Sequence, residues 1–336
     1  MTVRRKLAIP SLEPTPPEVF FDRRRFLAAA GVGVAGLAIA RPAVAGDDER
    51  ILQPPLERPG VFPAKRNEAY TLPAGLRSDL TPRLTAATHN NFYELLPGRG
   101  GPAWEFGDKF QVEPWKVEVT GLCANPMTLD LDALFAFPHE ERVYHFRCVE
   151  RWAMNVPWSG FPLALLIERA QPTAKARYVR FESVNRPDQM PGIREAHWYP
   201  WPYHEALRLD EATNPLAMVV TGVYGEPLLK QHGAPVRIVV PWKYGYKSAK
   251  SIVKIELVAR EPRIFWQTQP HEYGFLSNVN PNIPHPRWSQ EHSYWLDTQK
   301  PFPTQIFNGY EAQVAALYPD EPRTPQRALR EGQTAR

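Results

Sequence analysis

The stretch Tyr144-His145-Phe146-Arg147-Cys148-Val149-Glu150-Arg151-Trp152 reads as a strand that ends in a thiol set between arginines. Val143 to Val149 has the apolar, aromatic and β-branched content of a buried strand. Outward from it the pattern repeats. Trp115, Val117 and Val119 alternate with Lys116, Glu118 and Thr120 up to Gly121, and Arg177 to Val184 and Ser251 to Val258 alternate in the same way, the period of half-buried strands. Leu216 to Val223 and Val236 to Val240 are continuous apolar runs suited to buried strands. Between them the helical pieces are short. Leu129, Leu131, Leu134 and Phe135 fit a helix capped at Thr128 and ended before Pro138, and Phe161-Pro162 opens another through Leu166 and Ile167. Strands not regularly separated by crossover helices predict an α+β domain with mixed or antiparallel sheets.

Composition agrees. Proline supplies 37 of 336 residues, about twice ordinary usage, which disfavours long helices. With 43% apolar and 12% aromatic residues the chain is globular, not disordered or fibrous. Residues 1–45 hold seven Lys/Arg and three acids, leaving 33 of each sign in the remainder. A body of formal charge zero has no general electrostatic reason to bind nucleic acid. Cys123 and Cys148 are too few for a disulfide framework or a four-thiolate zinc site, leaving one disulfide, a single ligand or a reactive thiol.

The amino terminus reads as an address. Arg23-Arg24-Arg25-Phe26-Leu27 opens a small, apolar run to Ala40, and Ala43-Val44-Ala45 supplies a cleavage motif. The 15 residues from Phe26 to Ala40 make a helix of about 22 Å, short of the roughly 30 Å hydrocarbon core. The paired arginines suggest twin-arginine export. This predicts a signal peptide over 1–45, cleaved to a periplasmic chain of 291 residues from Gly46 with no transmembrane segment. Residues 46–85 form an extended Pro-rich arm and 86–300 the catalytic body. The Pro-rich extension 301–336 is expected to fray.

The chain shows no Walker loop, no G-x-G-x-x-G opening a helix, no H-E-x-x-H and no G-x-S-x-G, so the common nucleotide and zinc-hydrolase readings lose most of their weight. Three clusters remain. Around Cys148, Arg147 and Arg151 supply positive potential that favours thiolate, the form that binds soft metals, whereas Cys123 reads as a small packing residue. Gln231-His232-Gly233-Ala234-Pro235-Val236-Arg237, with Lys243, Lys247, Ser248 and Lys250 downstream, offers donors dense enough for a phosphate. Thr88-His89-Asn90-Asn91-Phe92-Tyr93-Glu94 is rich in polar groups but has no period.

Together, Asn90-Asn91-Phe92-Tyr93-Glu94, Phe146-Arg147-Cys148-Val149-Glu150 and His232-Gly233-Ala234-Pro235-Val236-Arg237 followed by Trp242-Lys243-Tyr244-Gly245 resemble the periplasmic methionine sulfoxide reductase catalytic subunits of the MsrP family. These are molybdenum proteins of the sulfite oxidase fold. The resemblance implies that Cys148 ligates molybdenum carried by molybdopterin. It implies cofactor contacts from Asn90, Tyr93, Glu94 and Ser183, and from His232, where relatives carry an amide. It further implies Arg237 and a phosphate site of Ser248, the Ala249 backbone and Lys250. The implied reaction is two-electron reduction of methionine sulfoxide in oxidised periplasmic proteins, with Glu150 among the candidate proton carriers. The implied electron donor is MsrQ, a haem-containing membrane subunit. A sulfite-oxidising or other small S- or N-oxide oxidoreductase of the same fold is the alternative.

Overall fold

The computed structural model describes residues 45–97 and 102–327. The arginine cluster and apolar run of the expected signal peptide lie outside the described residues. The Pro-rich arm is not extended throughout. It opens in helix α1 (Ala45–Leu52) and leads into α2 (Arg83–Thr88), and Ile51 packs against Ala87 and Leu229. Between the helices the arm lies along the body, tied by Asn67 N to Glu141 O at 2.8 Å and Thr81 N to Asn155 O at 3.0 Å.

Two mixed sheets follow. The strands are β1 (Lys116–Gly121), β2 (Met127–Asp130), β3 (Glu140–Arg147), β4 (Trp152–Pro162), β5 (Tyr178–Ser183) and β6 (His204–Arg208), then β7 (Met218–Val223), β8 (Glu226–Pro227), β9 (Arg237–Val239), β10 (Ile252–Val258), β11 (His292–Trp295) and β12 (Pro301–Pro303). The first sheet has the order β2-β1-β10-β5-β6, and the second β12-β11-β4-β7-β8 with β3 on β4 and β9 on β7. β1–β10 and β11–β4 are parallel and the other ladders antiparallel. The α+β class with mixed sheets is as expected from the strand pattern.

Several local expectations change. Met127–Asp130 is a strand on β1, so the helix is only α3 (Leu131–Phe135), and its cap is Asp130, whose carboxylate accepts from Ala133 N at 2.9 Å, rather than Thr128. The expected strand 143–149 ends at Arg147, leaving Cys148 in the turn beyond it. β4 had no strand signature, because ten of its eleven residues are buried and no alternation remains. Its Gly160 sits where the β4–β7 register shifts, and a Cβ there would meet Val219 O at 2.0 Å. Helix α4 (Leu163–Ala170) starts after Pro162 as expected and buries Leu163, Leu166, Ile167 and Ala170.

For residues 301–327 the expectation of a frayed tail is overturned, and 328–336 lie outside the described residues. β12 pairs with β11, and Phe307, Tyr310, Val314 and Tyr318 are buried. Tyr310 Oη accepts from His145 N at 2.9 Å, so the tail locks onto β3. Tyr318 Oη donates to Glu211 Oε1 at 2.5 Å and accepts from Trp242 Nε1 at 2.8 Å. Apolar burial outweighed the weak local order of a proline-rich sequence. Tyr318→Phe, which strands the buried Trp242 Nε1–H while Glu211 keeps Lys243, is expected to lower unfolding free energy by about 1–3 kcal/mol in urea titration. A frayed tail would leave the midpoint unmoved.

Candidate active site

β3 and β4 form a hairpin whose turn carries Val149, Glu150 and Arg151. Cys148 N donates to Trp152 O and Arg151 N to Cys148 O, both at 3.0 Å, and Arg151 takes a left-handed φ of 77°. This closes the turn and fixes the thiol at the hairpin's end. Asn91 Nδ2 donates to Glu150 Oε2 at 2.9 Å and lies 3.6 Å from Cys148 Sγ, while Trp152 Nε1 donates to the same carboxylate oxygen at 3.0 Å. Glu150 Oε2 is 3.9 Å from Sγ. Trp288 Nε1 and Gln290 Nε2 both donate to Val149 O, at 3.0 and 2.9 Å, and hold the turn from outside.

The flanking arginines do not set the thiol's ionisation. Cys148 is buried, and burial, then the Glu150 carboxylate, push its pKa well above the ordinary range, against a smaller opposing effect of Arg147. The Arg147 guanidinium is committed to Ser293 Oγ at 2.7 Å and to the Cys148 carbonyl at 3.2 Å. The sequence expectation of a thiolate stabilised by its neighbours is therefore corrected. A thiol in this setting ionises when a bound metal cation displaces its proton. Cys123, half-buried just past the end of β1, is a second free thiol. Among the described residues no cluster of three or more His, Cys, Asp or Glu could hold a metal ion by itself.

The other expected residues divide. Asn90 spends its amide on the carbonyls of Ala86 (3.3 Å) and Ala87 (2.8 Å) at the end of α2, so the amide that reaches the thiol is Asn91, which the sequence reading did not select. Tyr93 sits edge-on to Trp266 at 5.1 Å. Burial, then Glu150, raises its pKa well above 10, so the phenol stays protonated. Glu94 is buried. Ser183 Oγ lies beside it and donates to Lys250 O at 2.7 Å. Lys250 Nζ donates to Asn91 O at 2.9 Å, tying the 88–94 loop to the basic loop.

Within that basic loop, Gly233 has φ 97°, and a Cβ on it would come within 2.6 Å of Lys250 Cβ, so only glycine lets the two segments meet. Arg237 is buried beneath. Its donors reach the carbonyls of His232 (2.8 Å), Ser248 (3.3 Å) and Ile238 (3.4 Å), and its guanidinium lies over the Trp158 ring at 4.9 Å. Burial depresses the pKa of Arg237 to about 9 and that of Lys250 to about 8, the latter with added repulsion from Arg237. Ser248 Oγ accepts from Val240 N at 3.1 Å, and Ala249 O from Ile238 N at 2.9 Å. Lys243 and Lys247, which the sequence reading grouped with these donors, are instead paired with buried carboxylates, Glu211 at 2.7 Å and Glu205 at 2.6 Å.

The family model described as an oxidoreductase molybdopterin binding domain matches residues 106–266. A protein-methionine-sulfoxide reductase catalytic subunit MsrP from Burkholderia mallei is 47% identical over 336 aligned residues, covering 94% of this chain and 96% of its own. The MsrP of Ralstonia nicotianae is 45% identical, covering 92% and 93%. The chain belongs to the MsrP family. Among solved structures, the sulfane dehydrogenase SoxCD from Paracoccus pantotrophus is similar with a TM-score of 0.44 and 14% identity over 75% of this chain and 61% of that one.

The residues of the Cys148 turn and the basic loop fit the molybdopterin that an MsrP-family domain binds. Arg237 is a buried cation whose described donors end on neutral carbonyls, an arrangement that is costly without an anion. His232 is a buried ring held neutral by burial, its pKa lowered to about 4. Its Nε2–H donates to Ala86 O at 3.1 Å, and Nδ1 is buried with no protein partner. As placed it presents an acceptor, and not the donor expected of a substitute for an amide. At the other end, a single sulfur with a carboxylate and an amide beside it suits a soft metal held by one protein thiolate.

Glu94 carries a pH signature. Burial raises its pKa from 4.5 to about 7, so the native state holds its proton more tightly than the unfolded state. The stability this confers is complete below pH 4.5 and is lost as pH rises through about 7. Glu94→Gln in cofactor-free protein should flatten the fall in denaturation midpoint across that window. An unchanged pH profile would remove Glu94 as its source.

Proposed function

We propose that this chain is the catalytic subunit of a molybdenum-dependent reductase that converts protein-bound methionine sulfoxide to methionine. The reading is carried by one observation: in a chain 45–47% identical to MsrP subunits over nearly its whole length, the buried thiol beside Asn91 and Glu150 is joined, through Asn91 O and Lys250 Nζ at 2.9 Å, to a basic loop in which the donors of buried Arg237 end on neutral carbonyls. In balance, a sulfoxide takes two electrons and two protons and yields a thioether and water, reversing a rung of methionine oxidation.

The bound molybdopterin cofactor supplies the two-electron redox chemistry. The chain's own residues bind, orient and protonate. Cys148 Sγ would hold the molybdenum. Arg237, Lys250, Ser248 and the Ala249 backbone would hold the anionic end, with Tyr93, Glu94, Ser183 and the His232 acceptor along the organic part. Glu150 is oriented by two donors on Oε2, which leaves Oε1 as the atom we assign to proton transfer. Asn91 Nδ2, shared between Glu150 Oε2 and Cys148 Sγ, holds the carboxylate and the sulfur in place. The Tyr93 phenol, kept protonated by burial, is a hydrogen-bond donor of fixed position.

Export through the twin-arginine pathway to the periplasm rests on Arg23 to Ala45. Electrons would then enter from a haem-bearing membrane partner of the MsrQ type. Among the described residues no helix is long and apolar enough to cross a membrane, so such a donor would dock against this chain.

Cys148→Ser should abolish sulfoxide-dependent oxidation of a reduced viologen by the exported protein, with oxidised protein as substrate, and should lower its molybdenum content. The hydroxyl is a harder ligand of similar size, so the circular dichroism should be unchanged. Full turnover in this variant, or electron release from sulfite by the wild type in place of sulfoxide reduction, would overturn the reading.

A further inference from the structure

Helix α1 is eight residues long, too short to hold itself in water. A small set of contacts seats it. Its buried Ile51 packs against Ala87 of α2 and against Leu229. Its last carbonyls, which have no partners within a helix, take donors from the same two segments. Gln231 Nε2 donates to Ile51 O at 3.0 Å, and Arg83 Nη2 to Leu52 O at 2.9 Å. Arg50 adds an exposed ion pair with Asp108 at 2.6 Å, a kind of contact that is worth little.

Both supporting segments run directly into the candidate site. α2 is closed by the Asn90 amide on the carbonyls of Ala86 and Ala87, and the next residue is the Asn91 that lies 3.6 Å from Cys148 Sγ. His232, next to Gln231, donates to Ala86 O at 3.1 Å, so the two segments are also tied to each other. The His232 carbonyl takes Arg237 Nη1 at 2.8 Å, and Gly233 lies against Lys250. The groups that grip Ile51 are thus covalent neighbours of those that face the thiol and those that form the basic loop.

An anion would stabilise this loop, because the donors of buried Arg237 end on carbonyls. Resting on the reading that these segments hold molybdopterin, we infer that α1 is a positioning element of the cofactor site, and that its seating and cofactor binding strengthen one another. Ile51 and Gln231 are the positioning residues. By linkage the effect runs both ways. A cofactor that orders the loop from Leu229 to Arg237 seats α1, and a seated α1 lowers the cost of ordering that loop. α1 starts at the last residue of the expected cleavage motif Ala43-Val44-Ala45, so the order of the chain just after the expected signal peptide depends on loading.

The experiment uses the full chain, purified from the cytoplasm of cells that make molybdopterin and of cells that do not. Amide exchange is followed over residues 48–52, with α4 (Leu163–Ala170), which none of these contacts reaches, as the reference for any general gain in stability. On loading, exchange over 48–52 is expected to slow by about tenfold or more relative to α4. Ile51→Ser should remove most of that difference and lower the molybdopterin retained through gel filtration by about fivefold or more, whereas Ile51→Val should keep both. Tyr318→Phe, which weakens the fold elsewhere, should leave the difference in place. Equal slowing of wild-type α1 and α4 would overturn the coupling. So would wild-type retention in Ile51→Ser, or a Tyr318→Phe variant that loses the difference as Ile51→Ser does. A chain from molybdopterin-making cells that carries no molybdopterin would remove the cofactor reading, and the coupling with it.

Discussion

The site depends on the four-residue turn from Cys148 to Arg151. β3 and β4 are paired from Glu140–Gly160 to Arg147–Ala153, so the hairpin is rigid up to the residue before the thiol. The left-handed Arg151, which costs an L-residue about 1 kcal/mol, brings Glu150 back beside the sulfur and sets Trp152 where its indole orients the carboxylate. β4 is clamped in turn by β7 on one edge and by β11 beyond the turn. The tail that was expected to fray therefore contributes to the placement of one sulfur atom, through β12 on β11 and Tyr310 on β3.

Charge divides this interior into two kinds of cation. Lys243 meets Glu211 and Asn278, and Lys247 meets Glu205, so each buried ammonium has an anion supplied by the fold. These pairs brace the sheet edges. Arg237 has only carbonyls among its described partners, and Lys250 donates to Asn91 O with Glu94 near enough to couple to it. A buried cation left without its own anion is a poor structural device, because desolvation exceeds what carbonyl dipoles return. The asymmetry sets Arg237 apart from Lys243 and Lys247, which sequence spacing alone placed together.

Legibility in the sequence followed the same physical lines. Strands with one wet face, β1, β5 and β10, declared themselves by alternation and appeared close to their expected bounds. β4 was silent, because a strand buried on both faces and interrupted by Pro157 and Gly160 has neither period nor composition to show. In the 88–94 loop the amide beside the thiol is one residue on from the one the sequence singled out. Asn90, three and four residues after Ala87 and Ala86, is positioned to close α2, which turns Asn91 toward the thiol. That spacing was readable. The fate of Lys243 and Lys247 was not, since Glu211 and Glu205 meet them only through tertiary folding.

The Cys148 turn and the basic loop, joined through Lys250 Nζ and Asn91 O, carry opposite electrostatic demands. At the hairpin end, a carboxylate stands 3.9 Å from a sulfur that burial keeps protonated, an environment that rewards the arrival of positive charge. At the basic end, Arg237 and Lys250 are both depressed by burial, an environment that rewards negative charge. Reversing a ligand with a metal at one end and a phosphate at the other would set like charges together at both ends, in a medium where Coulomb energies are several-fold larger than in water. Orientation is thus enforced by mismatch as much as by contact. The neutral His232 acceptor and the protonated Tyr93 donor between the ends add hydrogen-bond polarity without disturbing that gradient.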